Sequence, residues 1–104
     1  MIPIFSADCP VTATMQMLSK RWTFFIIRAI RHDIRTFNAI KRSLGGRISN
    51  RTLSDRLQEL EAGGLIQRTV VSKNPLKTEY IFTRKGASIQ PIIDTTCTWA
   101  HDWK

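Results

Sequence analysis

The 104-residue sequence predicts a mainly α domain with one small β-hairpin, an α+β fold built as a single unit. Three observations carry that expectation. Apolar residues recur at helical spacing in four segments before residue 62, two glycine pairs bracket the fourth segment, and two β-rich runs meet at Asn74-Pro75.

The first helix is expected from Asp8-Cys9-Pro10, where Asp8 can cap and Pro10 in the first turn sacrifices no intrahelical donor. Val11, Met15 and Leu18 then recur at i, i+4 and i+7 and mark one buried stripe. A second helix follows from about Arg21 to Arg31, with Trp22, Phe25, Ile26, Ala29 and Ile30 on one side. Ile34-Arg35-Thr36 reads as a short extended piece. The third helix, from about Phe37 to Leu44, rests on Phe37, Ile40 and Leu44 and stops at Gly45-Gly46. Ser49 then serves as the N-cap of a fourth helix reaching about Ala62, with Ile48, Leu53, Leu57 and Leu60 as its apolar edge and Gly63-Gly64 as its end.

Leu65 to Val71 and Lys77 to Thr83 are β-rich runs around a turn at Ser72-Lys73-Asn74-Pro75, which reads as a hairpin. Thr83 can cap a last helix from about Arg84 to Trp103, which Pro91 should kink or restart. Two helices joined by a glycine-containing turn, with a hairpin after the second, describe a winged helix-turn-helix. The recognition helix then spans about 49–62, the wing about 65–83 and the last helix about 84–103.

A chain this short buries only a modest core, so a partner subunit would help it. Its 42% of hydrophobic residues is too many for a disordered tail, and no run approaches the roughly 18 apolar residues of a membrane span. No membrane partner is expected. The opening Met1-Ile2-Pro3-Ile4-Phe5 lacks the basic and long apolar regions of an export signal, so the cytoplasm is the expected compartment. Cys9 and Cys97 are too few for a disulfide scaffold and lack the spacing of a zinc site, so neither a metal nor a cofactor is expected.

Charge is unevenly distributed. Between Lys20 and Arg51 lie nine basic residues and one acid, Asp33, so this window carries the whole formal net charge of +8. Such concentration suits a polyanion, because each neutralised phosphate releases condensed counterions. A surface that merely keeps the protein dissolved is the competing reading.

At about 100° per residue, Leu57 and Leu60 fall within about 40° of Leu53. Arg51, Asp55 and Gln58 lie roughly opposite, with Thr52 and Ser54 on the shoulders. A recognition helix needs this division, one edge holding it to the body and the other entering the major groove. Arg51 can bind guanine O6 and N7, Asp55 can accept from cytosine N4, and Asn50 can pair with adenine. Ser49 and Thr52 are short donors suited to phosphate beside a helix N-terminus. Glu59 and Glu61 sit in the C-terminal half, where they would repel DNA, so the N-terminal half should face it. The alternative is an outer face that is simply solvated.

Lys73 and Lys77 bracket the hairpin tip, where a wing meets phosphates or the minor groove, although edge lysines also prevent strand addition. Arg35, Lys41, Arg42 and Arg47 are candidates for backbone contacts. In the last helix Ile89, Ile92, Ile93, Thr96, Trp99, Ala100 and Trp103 form a broad apolar face with few charges nearby. With Val11 and Met15 they are the expected dimer interface, against the alternative that the helix only caps its own subunit. A symmetric dimer presents recognition helices to successive major grooves about 34 Å apart. Cys9 stands at a helix start, which favours thiolate, so it is the candidate redox or electrophile sensor, and an inert thiol is the competing reading. Cys97 reads as packing.

Catalysis would need a converged acid, base or nucleophile, and His32 and His101 fall in a loop and at the C-terminus without an evident partner. An enzyme is therefore not expected. The stronger rival to sequence-specific DNA binding is a winged helix used for protein contacts or for nucleic acid without sequence preference.

Cys9-Pro10-Val11, Lys20-Arg21-Trp22-Thr23 and Phe37-Asn38 resemble the N-terminal half of the HxlR-type regulators, relatives of the MarR group. Ser49 to Glu61 followed by Gly64-Leu65-Ile66 resembles their recognition helix and its exit. Glu79-Tyr80 and Thr83-Arg84-Lys85-Gly86 resemble the wing's return strand and the start of the last helix. The resemblance implies a dimeric transcription regulator on a short inverted repeat of double-stranded DNA, with first and last helices forming the interface. It places Ser49, Arg51, Thr52, Ser54 and Arg56 on the DNA-contacting helix. Some such regulators sense aldehydes, quinones or oxidants through a cysteine placed like Cys9, so a small electrophile or oxidant is the implied effector. Departures are Gly45-Gly46-Arg47-Ile48 in place of a shorter turn, Lys20-Arg21 in place of Gly-Lys, and a wing tip less rich in proline.

Overall fold

The computed structural model describes residues 4–104; residues 1–3, part of the stretch read for an export signal, lie outside them. The helices are α1 (Pro10–Leu18), α2 (Thr23–Arg31), α3 (Phe37–Ser43), α4 (Asn50–Ala62), α5 (Arg84–Ser88) and α6 (Gln90–Asp102). Strands β1 (Ile66–Lys73) and β2 (Leu76–Phe82) stand between α4 and α5. This order is a winged helix-turn-helix.

Local chemistry sets each boundary. The N-cap of α1 is Cys9, not Asp8, and no side chain caps it. A turn closed by Cys9 N–H on the Ser6 carbonyl (3.1 Å) leaves the Asp8 amide bonded to Ser6 Oγ at 3.3 Å, outside the first helical turn. Helix α2 starts two residues later than its apolar pattern implies. Thr23 N–H donates to the Lys20 carbonyl at 3.2 Å, and Trp22 between them sits at φ 79°, a region L-residues enter at a cost of about 1–2 kcal/mol.

The core gathers Ile26, Ile27, Ile40, Ile48, Leu53, Leu57, Leu60, Ile66 and Ile93, all fully buried, from α2, α3, α4, the hairpin base and α6. Burying each such side chain stabilises the fold by about 1.5–3 kcal/mol. Two expectations fail here. Phe25 is half exposed, and Ile27 takes its place inside. Helix α1 buries none of its residues, so the stripe of Val11 and Met15 faces solvent in the single subunit.

The hairpin is antiparallel, pairing Ile66 with Phe82, Thr69 with Glu79 and Lys73 with Leu76, with an irregularity between Val70 and Ser72. The segment Ile34-Arg35-Thr36 is not a strand. Among the described residues, its backbone is tied to the sheet by the Tyr80 N–H on the Arg35 carbonyl at 2.8 Å.

Thr83 caps α5, accepting from Gly86 N–H at 3.1 Å while its hydroxyl donates to the Gly64 carbonyl. The chain breaks at Ile89 and restarts as α6 with Pro91 in its first turn, where a missing N–H costs nothing. This restart corrects the interface assignment. Ile93 (1% exposed) and Ile89 (8%) turn inward to their own core, while Ile92, Thr96, Trp99, Ala100 and Trp103 stay outside.

Candidate nucleic-acid interface

Helices α3 and α4 meet through a turn that glycine makes possible. Thr36 caps α3 by accepting from Ala39 N–H at 3.2 Å, and Gly45 and Gly46 both adopt positive φ, 73° and 68°, to reverse the chain. Buried Ile48 seats the turn on the core. Ser49 then caps α4, accepting from Thr52 N–H at 3.0 Å and donating to Thr52 Oγ1 at 2.9 Å. That occupies the proton Ser49 would offer a phosphate and leaves the Thr52 hydroxyl proton free.

On α4 the leucines at 53, 57 and 60 are buried, and Arg51, Asp55 and Gln58 are exposed on the far side. Thr52 and Ser54 are half-buried shoulders. Arg51 makes no salt bridge among the described residues. Asn50 is exposed, but Lys41 Nζ donates to its Oδ1 at 2.6 Å and holds the acceptor that an adenine amino group would need. Arg56 does not join this face. Its Nε donates to the Arg21 carbonyl at 3.2 Å, and its guanidinium is bonded to Glu59.

Pairing also sorts the basic window. Lys20 reaches Glu59 at 2.9 Å, Arg31 reaches Asp94 at 3.2 Å and Arg35 reaches Asp33 at 2.7 Å. Arg42, Arg47 and Arg51 are exposed with no ion-pair partner among the described residues, and they stand at the end of α3, in the α3–α4 turn and at the start of α4. Lys73 and Lys77 are exposed and unpaired in the same sense at the hairpin tip. Leu76 beside them is 72% exposed, an apolar tip residue that the alternating pattern of the strand did not single out. The positive charge available to a polyanion is thus narrower than the sequence window, with Arg35 already engaged by Asp33.

A family model described as HxlR-like helix-turn-helix matches residues 17–104. The chain belongs to this family. An HTH-type transcriptional regulator of Bacillus subtilis, YvaP, is 35% identical over 99 residues, covering 94% of the chain and 91% of the relative. The crystal structure of a MarR-family regulator from Porphyromonas gingivalis superposes with a TM-score of 0.79 at 31% identity, covering 96% and 97%. YodB of B. subtilis in its diamide-treated form gives 0.75 at 30% identity, covering 93% and 96%, and its quinone-bound form gives 0.74 at 28%, covering 90% and 98%. As an HxlR-like protein, the chain is a DNA-binding helix-turn-helix transcription regulator, and its relatives carry the names of regulators and not of enzymes. Among the described residues no helix is long and apolar enough to cross a membrane, and no group of three or more potential metal ligands occurs.

Proposed function

We propose that this HxlR-like chain binds an inverted-repeat operator in double-stranded DNA, sequence-specifically and as a homodimer. One observation carries the reading. The first two turns of α4 hold Arg51 and Asp55 out to solvent with no salt-bridge partner among the described residues, while Leu53, Leu57 and Leu60 fix the opposite side to the core. Arg51 is the base reader, offering its paired donors to guanine. Asp55 and Ser54 read neighbouring bases, and Asn50 contributes through its amide nitrogen. Thr52, Arg42 and Arg47 position the backbone, Lys73 and Lys77 hold the wing to phosphates, and Ser49 acts as the cap that keeps this surface in register. Work on chromosomal DNA puts the protein in the cytoplasm.

The exposed apolar residues of α1 and α6, chiefly Val11, Met15, Ile92, Trp99 and Trp103, support the dimer. Cys9 supports an effector reading. It is half-exposed at the N-cap of α1, so an oxidant or quinone that modified it would act at the edge of that same surface, and YodB has been crystallised with diamide treatment and with a quinone. Diamide should release the wild-type protein from its operator and leave Cys9→Ser bound; unchanged release from Cys9→Ser removes the thiol from the reading.

Base readout is tested by comparing a selected operator with random duplex. Arg51→Ala should lose about 1–3 kcal/mol on the operator and little on random DNA, whereas Lys73→Ala should weaken both similarly. Equal losses from Arg51→Ala on the two duplexes would favour a winged helix that binds nucleic acid without sequence preference.

A further inference from the structure

The acids in the second half of α4 ought to be a liability on a DNA-facing helix, yet Glu59 is built into a junction. Its carboxylate accepts from Lys20 Nζ at 2.9 Å and from the guanidinium of Arg56 one turn earlier on the same helix. Arg56 also donates through Nε to the main-chain carbonyl of Arg21 at 3.2 Å. Lys20 and Arg21 form the corner between α1 and α2, and the next residue, Trp22, is held at φ 79° with the Arg21 guanidinium 5.3 Å from its ring centre. Two anchors therefore run from the recognition helix to a strained turn, one ionic and one to the backbone.

Away from this corner, α1 meets the body only through half-buried residues, Met17 and Leu18, packed against the core. Helix α1 has no buried residue, and a groove of about 620 Å³ lined by Ala13, Met17, Glu59, Leu65, Ile89 and Ile92 separates it from the end of α4 and from α5 and α6. Open space does not hold an angle, whereas hydrogen bonds of fixed geometry do. An exposed ion pair adds little stability on its own. Three polar groups meeting at a turn that glycine would otherwise prefer act on geometry instead.

We propose that Glu59, bridging Lys20 and Arg56, is a positioning residue that sets the angle of the recognition helix against α1 and so the half-site separation the dimer accepts. This rests on the dimeric operator reading above, in which α1 belongs to the subunit interface. One base pair of extra spacing moves a half-site by about 3.4 Å and rotates it by about a tenth of a turn, so a fixed angle discriminates and a loose one tolerates.

An operator is first selected from random duplex with the wild-type protein. Its dissociation constant is then measured by fluorescence anisotropy with the half-sites at their selected separation and one base pair closer or farther. The wild type should lose about tenfold or more on the altered spacings, comparable to a mismatched base pair. Glu59→Gln and Lys20→Met should each reduce that loss to on the order of threefold, and Lys20→Arg should restore it. The two changes alter net charge in opposite directions, so a common shift of the spacing ratio is geometric and not electrostatic. An unchanged ratio in both variants, with wild-type circular dichroism, overturns the proposal. Should Glu59→Gln fail to fold, Lys20→Met decides alone, because Lys20 is exposed and outside the core. A wild-type protein that selects no paired half-sites, or binds all spacings equally, defeats the dimeric operator reading before any variant is made.

Discussion

Arg51 ends in solvent with no salt bridge among the described residues, whereas Arg56, about a turn and a half onward, ends between Glu59 and the Arg21 carbonyl. A guanidinium so engaged would have to leave two partners to reach a phosphate. The carboxylate between the cations responds in turn. The Lys20 ammonium hydrogen-bonded to Glu59, helped by the charge of Arg56 and opposed by partial burial, holds its carboxyl below the usual glutamate range. Lys20 faces it from the α1–α2 corner, Arg56 from its own helix and Lys85 from across the groove. A carboxyl whose pKa is depressed on folding contributes stability that is present at neutral pH and lost as pH falls through the folded value. Thermal unfolding of wild type and Glu59→Gln between pH 7 and pH 3 should therefore show a gap that closes on acidification. A gap that stays constant to pH 3 would mean that the charge of Glu59 contributes nothing.

The junction of wing and α5 depends on one glycine. A Cβ on Gly86 would lie 1.9 Å from the Leu65 carbonyl oxygen and 3.0 Å from the Phe82 ring, so the base of the hairpin would have to shift. Gly86→Ala should cost about 3 kcal/mol, at the upper end for overpacking, seen as a lower midpoint in urea with an unchanged slope. Other features at this scale are legible in the residues. Ser49 and Thr83 cap where their chemistry says, and Gly45-Gly46 and Gly63-Gly64 end helices where they stand. Helix α2 is less legible because apolar residues surround it, and periodicity cannot choose between Phe25 and Ile27 when both are apolar. Asp8 lost its cap to a turn made by Ser6, an interaction with no periodic signature. Arg56 carries its own signal in the sequence: it falls about 60° from Leu53, beside the leucine edge and away from Arg51. The pairing of Glu59 with Lys20 spans 39 residues, and no local pattern reports such a contact.

At the scale of the whole molecule, a lone subunit leaves several apolar residues of its first and last helices in water. Trp99 is 64% exposed, Trp103 76% and Val11 63%, and Ile92 and Met15 are about half exposed. Trp99 lines a shallow apolar recess with Pro91, Ile92, Thr95 and Thr96, a shape that receives a side chain from another surface. Ile89 and Ile93 bind α6 to its own core from the opposite side, so the helix can be both anchored and available. These facts separate folding from assembly. Trp99 lies outside the subunit's core, so with Trp99→Asp circular dichroism and the heat-unfolding signal of the monomer should persist. A tryptophan at the centre of an interface is commonly worth about 2 kcal/mol or more, so the dimer constant should weaken by about 30-fold or more. Sedimentation equilibrium at micromolar concentration should then find the variant monomeric under conditions where the proposed dimer forms in the wild type. Operator binding by the variant should become steeply dependent on protein concentration, because two weakly associated subunits must meet on DNA. Binding to a single half-site should be unaffected, since Arg51 and the wing stay in place. If Trp99→Asp sediments as the wild type does, the exposed stripe is not the subunit interface, and the geometry linking the two recognition helices must come from another surface.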